Sequence, residues 1–184
     1  MGDIVICYFS GSRHTARLAE TIATAAAESG SASRLVDVAA MTGADWQALD
    51  EAAAILFGTP TYMGSAAAGF KSFMDDTSDR WTDQVWADKL AAGFTVATFP
   101  GGDKLATLIQ LSVFAAQHGM IWVGQDQIGA PVDAANPGIN ESGAWLGLAA
   151  TSSRDKTLMV QPGDLETARR FGLRIARAVR RWTT

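Results

Sequence analysis

The sequence predicts an α/β domain in which a doubly wound parallel sheet carries helices on both faces, and three observations predict it. Apolar runs of strand length alternate with segments of helical periodicity five times along the chain. The runs lack the polar alternation of a sheet that faces water, so they suit strands covered on both sides. Strand and helix in strict alternation is the pattern of parallel strands joined by helical crossovers. With 184 residues, 48% hydrophobic and 18% charged, the chain is predicted to fold as one domain, 1–184, around a sizeable core.

The first strand is "DIVICYF", residues 3–9, and it contains the single cysteine, Cys7, read as a small buried filler. The first helix spans Thr15 to Glu28, where "ESG" is a plausible stop. "SRLVDV" is the second strand, Asp45–Asp50 a short helix and "AAAILFG" the third strand. A helix over Ala66–Thr77 leads to the fourth strand, "LAAGFTVAT", and a helix over Leu105–His118 leads to the fifth, "MIWVG". The last helix, Asp164–Trp182, starts with Asp164 as a candidate cap. Within it Leu165, Ala168, Phe171, Ile175, Val179 and Trp182 recur at spacings of three and four, which predicts a buried stripe and six arginines turned to water. Trp46, Trp122 and Trp182 fall on core-facing positions, whereas Trp81 and Trp86, with polar flanks, suit either partial exposure at a pocket mouth or an interface, or a local helix anchor. The stretch from Gly124 to Gly143 is long for a connection in a compact domain, and such loops are most often functional.

Charge and hydropathy exclude several classes. A net charge of −4 gives no field for nucleic acid. Runs such as "AAGFTV" fall far short of the roughly 20 residues of a membrane span. The chain passes from "MGD" directly into a strand with no basic region ahead of it, which predicts a cytoplasmic protein.

In a doubly wound sheet ligands bind outside the carboxyl ends of the strands, and three loops there are unusual. After the first strand comes "SGSRHT", in which Gly11 permits close backbone approach, Ser10, Ser12 and Thr15 add hydroxyls, and Arg13 adds a charge at a helix N-terminus. That is the composition of a phosphate nest. "GTPTYMGS", Gly58 to Ser65, displays Tyr62 and Met63 on a tight turn after the third strand, and an aromatic beside a phosphate nest suits a flat ligand. "TFPGGD", Thr98 to Asp103, brings amides and another aromatic to the same edge.

On "FSGSRHTARLAE", "GTPTYMGSAAAGFKSFMD", "GGDK", "QHGMIWVG" and "GDLETARRFG" the chain resembles the flavodoxin-like FMN proteins, in particular the WrbA-like NAD(P)H:quinone oxidoreductases and NADPH-dependent FMN reductases. That resemblance implies a five-stranded parallel sheet in the order 2-1-3-4-5. It implies that Ser10, Ser12, Arg13, His14 and Thr15 hold the FMN phosphate. Pro60, Thr61, Tyr62, Met63 and Gly64 would line the isoalloxazine, and Thr98, Phe99, Pro100, Gly101 and Gly102 its other edge. NAD(P)H would be the donor and a quinone-like molecule the acceptor, with Tyr62 and Trp81 at the substrate and ping-pong kinetics from a shared face. His118 resembles the second histidine of the "HHGM" motif near the substrate, and since it precedes the fifth strand it could reach a flavin only across a subunit contact in a homodimer or homotetramer; the other reading is a histidine that closes a helix C-terminus. The alternative is an electron carrier serving a protein partner. A phosphorylated receiver domain is excluded by Gly58, Thr59 and Pro60 where its aspartate would stand, and a P-loop NTPase by the missing G-K-[ST].

Overall fold

The computed structural model describes residues 3–153, 155 and 157–183. Five strands make the parallel body of the sheet: β1 (Ile4–Tyr8), β2 (Ser33–Asp37), β3 (Ala54–Tyr62), β5 (Leu90–Ala97) and the short β6 (Ile121–Trp122). Their order is β2-β1-β3-β5-β6, which is the predicted 2-1-3-4-5 arrangement once a small strand β4 (Ser65–Ala66) is counted in the chain. Helices α1 (His14–Glu28) and α6 (Pro162–Trp182) cover one face. On the other lie α2 (Gly43–Glu51), α3 (Ala68–Asp76) and α5 (Lys104–Gln117), with the one-turn α4 (Ser78–Thr82) after α3.

The two cores follow from the period of two along a strand. Ile4 and Ile6 point to the α1/α6 side and meet Leu18, Ile22, Phe171 and Ile175. Val5 and Cys7 point to the opposite side with Leu49, Phe57, Phe70, Trp86 and Phe114. Cys7 is fully buried, as predicted, and burial pushes its thiol pKa up. No helix among the described residues is long and apolar enough to cross a membrane.

Four features differ from the sequence expectations. First, β3 does not stop at Gly58 but runs through Thr59, Pro60 and Thr61 to Tyr62, then folds back as an antiparallel hairpin onto β4. Met63 (φ 49°) and Gly64 (φ 81°) form its two-residue turn, whose positive φ values match the right-handed twist of the strands and favour glycine. Second, the fifth strand is divided. β6 pairs with the start of β5 (Leu90↔Ile121, Ala91↔Trp122), the chain leaves for a long insertion, and β7 (Leu148–Thr151) returns beside the end of β5 (Phe94↔Leu148 to Ala97↔Thr151). Third, Asp164 does not cap α6. Pro162 opens that helix, and the Asp164 carboxylate accepts from Thr151 N at 2.7 Å. Fourth, Trp86 is fully buried while Trp182 is half exposed. Trp86 lies against Phe57 and Phe114, and its indole N–H donates to Asp50, which also takes a two-pronged bond from Arg80, so an acid on α2, 36 residues away in sequence, satisfies this core aromatic.

Candidate functional site

The carboxyl ends of β1, β3, β5 and β7 converge on an open cleft of about 190 Å³, lined by Gly11, Ser12, His14, Thr15, Pro60, Thr61, Tyr62, Val96, Ala97, Thr98 and Ser152. At the end of β1 the chain turns through Arg13 in the left-handed conformation (φ 66°) and enters α1 at His14. Among the described residues the amides of Gly11 to Thr15 have no acceptor within the chain, while the next amide, Ala16 N, donates to Ser10 Oγ at 3.2 Å. Ser10 therefore serves the helix end, and the five preceding amides remain free to bind an anion at the positive end of the helix dipole.

The hairpin forms the opposite wall. Tyr62 leans across the first loop so closely that a Cβ on Gly11 would stand 2.6 Å from its hydroxyl oxygen, which is the close approach that glycine permits. Beneath this wall the buried hydroxyl of Thr61 bonds to both Thr95 and Thr107 at 2.8 Å, and Thr59 Oγ1 accepts from Ala67 N at 3.1 Å. These bonds tie β3 to β5 and α5 and fix the position of the hairpin.

Eight of the residues singled out in the sequence meet in the cleft: Gly11, Ser12, His14, Thr15, Pro60, Thr61, Tyr62 and Thr98. Arg13 lies outside it with its guanidinium 3.4 Å from Glu20. Met63 and Phe99 are exposed at the rim, and Pro100 and Gly101 face a different cavity beyond the loop. His118 and Trp81 do not join the cleft. They lie together at the amino ends of the strands, the full length of α5 away, on the order of 20 Å for a helix of its size. His118 is 1% exposed, wedged between Trp86 (4.6 Å) and Phe114 (4.8 Å), and burial lowers its pKa to about 4. Sequence reasoning missed Val96, Ala97 and Ser152. For Ser152 the signal was present: "LAATSS" is an apolar run followed by hydroxyls, just like the end of the first strand.

The donor set suits a phosphate monoester. It offers outward amides, the Ser12 and Thr15 hydroxyls and a helix N-terminus, and no carboxylate lines the cleft among the described residues.

Comparison with known proteins agrees with this geometry. The model of the NADPH-dependent FMN reductase family matches residues 4–134, from β1 through the cleft loops and into the insertion. The chain belongs to the NADPH-dependent FMN reductase family. Among members and relatives, it is 42% identical over 182 residues to a protein named Flavodoxin FldP from Pseudomonas aeruginosa (strain UCBPP-PA14), with 96% of each chain covered. It is 31% identical over 123 residues to an NAD(P)H dehydrogenase (quinone) from Archaeoglobus fulgidus, covering 67% of this chain and 57% of that protein. The crystal structure of a flavodoxin, WrbA-like protein from Agrobacterium tumefaciens superposes with a TM-score of 0.78 at 35% identity, covering 98% of this chain and 99% of that one. For a reductase-family chain, the insertion and the divided fifth strand lie at the end of the matched region or beyond it.

Proposed function

We propose that this chain holds FMN in the cleft between the first loop and the hairpin and passes electrons from NAD(P)H to a quinone-like acceptor. The observation that carries the reading is the pairing of an acid-free amide nest with an aromatic wall, Tyr62, on one strand edge. When bound, FMN would supply the hydride and electron chemistry, and the protein supplies binding and orientation. The amides of Gly11 to Thr15, with Ser12 and Thr15, would hold the phosphate. Tyr62 and Thr98 would hold the ring from two sides, and the Thr61–Thr95–Thr107 hydroxyl chain keeps those walls at a fixed spacing. With no separate dinucleotide motif in the sequence, donor and acceptor would take turns at the opening of this cleft, and ping-pong kinetics are expected.

In solution a homodimer or homotetramer is part of this proposal. Leu105, Ile109 and Val113 form an exposed apolar stripe along α5 that such an assembly would bury.

A carrier of electrons to a protein partner is the second reading, favoured by the full-length relative named a flavodoxin. One assay separates the two. FMN-loaded protein is mixed with NADH or NADPH and a soluble benzoquinone, without any other reductase. Steady consumption of the nicotinamide with parallel double-reciprocal lines is expected. Reduction that requires a separately added reductase assigns the carrier role instead.

A further inference from the structure

Lys104 is the first residue of α5, directly after the loop that borders the cleft, and it is 3% exposed. Neither setting suits a cation, because burial strips its water and the start of a helix is the positive end of the dipole. Its amine donates to Ala150 O (3.1 Å) and Thr151 Oγ1 (3.0 Å), both neutral oxygens. Burial accordingly lowers its pKa, an effect that the charge of Asp164 opposes. A lysine held in such a place is favoured by any anion that forms nearby.

The direction of this arrangement follows from β7. Ser152 N donates to Ala97 O at 2.9 Å, so the polar groups of that residue face β5. Alternate residues of a strand share a direction, so Ala150 C=O faces β5 as well, and Thr151 N–H faces away from it. Lys104 binds the first, and Asp164 Oδ2 accepts from the second at 2.7 Å. One peptide unit thus lies between the cation and the carboxylate. The negative end is turned outward, where Asp164 and Glu141 line a separate hollow, and the positive end is turned toward β5. The end of β5 is cleft wall: Ala97, the strand partner of Thr151, lines the cleft beside Thr98 and Ser152. A Cβ on Gly102 would stand 2.8 Å from Ala97 Cβ and 3.8 Å from Lys104 Cγ, so the lysine stem runs close behind that wall.

We propose that Lys104 sets the redox balance of the flavin in the cleft: its charge favours the reduced, anionic ring over the oxidised, neutral one, with Asp164 as a counter-charge turned away. Two electrons and one proton make the neutral ring an anion, and a charge near the ring nitrogens is one of the means by which a protein tunes that change. This inference rests on the reading of the cleft as an FMN site, and the experiment separates the two.

The full chain, saturated with FMN, is reduced near neutral pH by dithionite beside a dye of known potential, and the two-electron midpoint is read from the absorbances of flavin and dye. Affinity for oxidised FMN is measured separately by calorimetry. Lys104→Met should weaken binding of the reduced flavin relative to the oxidised about tenfold, which is a midpoint about 30 mV more negative. Lys104→Arg, which keeps the charge, should stay within about twofold of wild type. Asp164→Asn keeps an acceptor for Thr151 N but loses the counter-charge, and should move the midpoint the other way by about threefold, or about 15 mV. The opposite signs decide the matter, because a clamp that only holds β7 would shift both variants alike. Midpoints that move together or stay in place, while oxidised FMN still binds, overturn the proposal and leave the cleft as read. If Lys104→Met does not fold, the Asp164→Asn shift decides alone, upward for the proposal and downward or absent against it. A wild-type chain that binds no FMN overturns the reading of the cleft, and this inference falls with it.

Discussion

His118 shows how one side chain's role is settled by its neighbours. Thr77 Oγ1 donates its proton to Met74 O at 2.7 Å, so its contact with His118 Nε2 at 3.0 Å must run the other way, with Nε2–H as donor. The ring is then neutral with its proton on Nε2, and Nδ1 is buried without a partner among the described residues. Adding a proton there would place a charge between Trp86 and Phe114, which is why burial lowers the pKa from 6.5 to about 4. The sign for stability follows from linkage. The unfolded histidine takes up a proton below about pH 6.5 while the folded one resists until about pH 4, so its contribution is complete above pH 6.5 and is lost as pH falls toward 4. Wild type should lose on the order of 2 kcal/mol more than His118→Gln between pH 7 and pH 4.5, read from urea midpoints at the two pH values. Equal losses would show that the ring titrates normally. The place of His118 at a helix end before the fifth strand was legible from the chain order. Its tautomer was not, because that depends on Thr77, 41 residues away.

At the scale of elements, the arginines of α6 are the main departure from the sequence expectation. The buried stripe is as predicted, with Ala168, Phe171, Ile175 and Val179 in the core. The opposite face, however, is not simply wet. Arg170 reaches Asn136, Arg174 donates to Gly124 O at 2.6 Å and pairs with Asp126, and Arg177 pairs with Asp126 as well. Glu166, bonded by Arg169 and Arg170, has its carboxyl pKa lowered to about 2. These contacts hold the long insertion against the helix. Periodicity cannot reveal this, because a helix face that binds a polar loop has the same composition as one that faces solvent. The divided strand was hidden for a related reason: pieces of two and four residues are too short to show a pattern, and only the pairing with β5 makes them one edge. Arg174→Ala should cost about 1–2 kcal/mol, through loss of hydrogen bonds made by a charged group. Amide exchange should speed up over residues 124–147 while β1, β3 and β5 keep their protection. If exchange rises equally throughout, the arginine supports the fold as a whole and not the insertion.

For the molecule as a whole, the parallel topology decides where function can sit. All the loops after β1, β3 and β5 must emerge at one edge, so a reader of the sequence could bring Ser12, Thr15, Tyr62 and Thr98 together before any coordinate was known. What could not be read was which loop residues face inward. Ser10 turns back to cap α1, and Pro100 and Gly101 face the second cavity, since the backbone path of a short loop is set by local hydrogen bonds and not by composition. The same edge gives a sharp test of the cleft, because its strongest donors are the amides that would meet the phosphate and not those near the ring. FMN and riboflavin share the ring and differ only by that phosphate. At a hundredfold excess over its Kd, FMN should stabilise the chain by about 2.7 kcal/mol, a rise in melting temperature of roughly 5 °C or more for a domain of this size. Riboflavin at the same concentration should give only a small fraction of that rise. Replacing Thr15 by valine should weaken FMN about tenfold or more and leave riboflavin unchanged, since only the phosphate loses a charge-assisted bond. Equal melting shifts for the two flavins would mean that the free amides of Gly11 to Thr15 do not hold a phosphate at all.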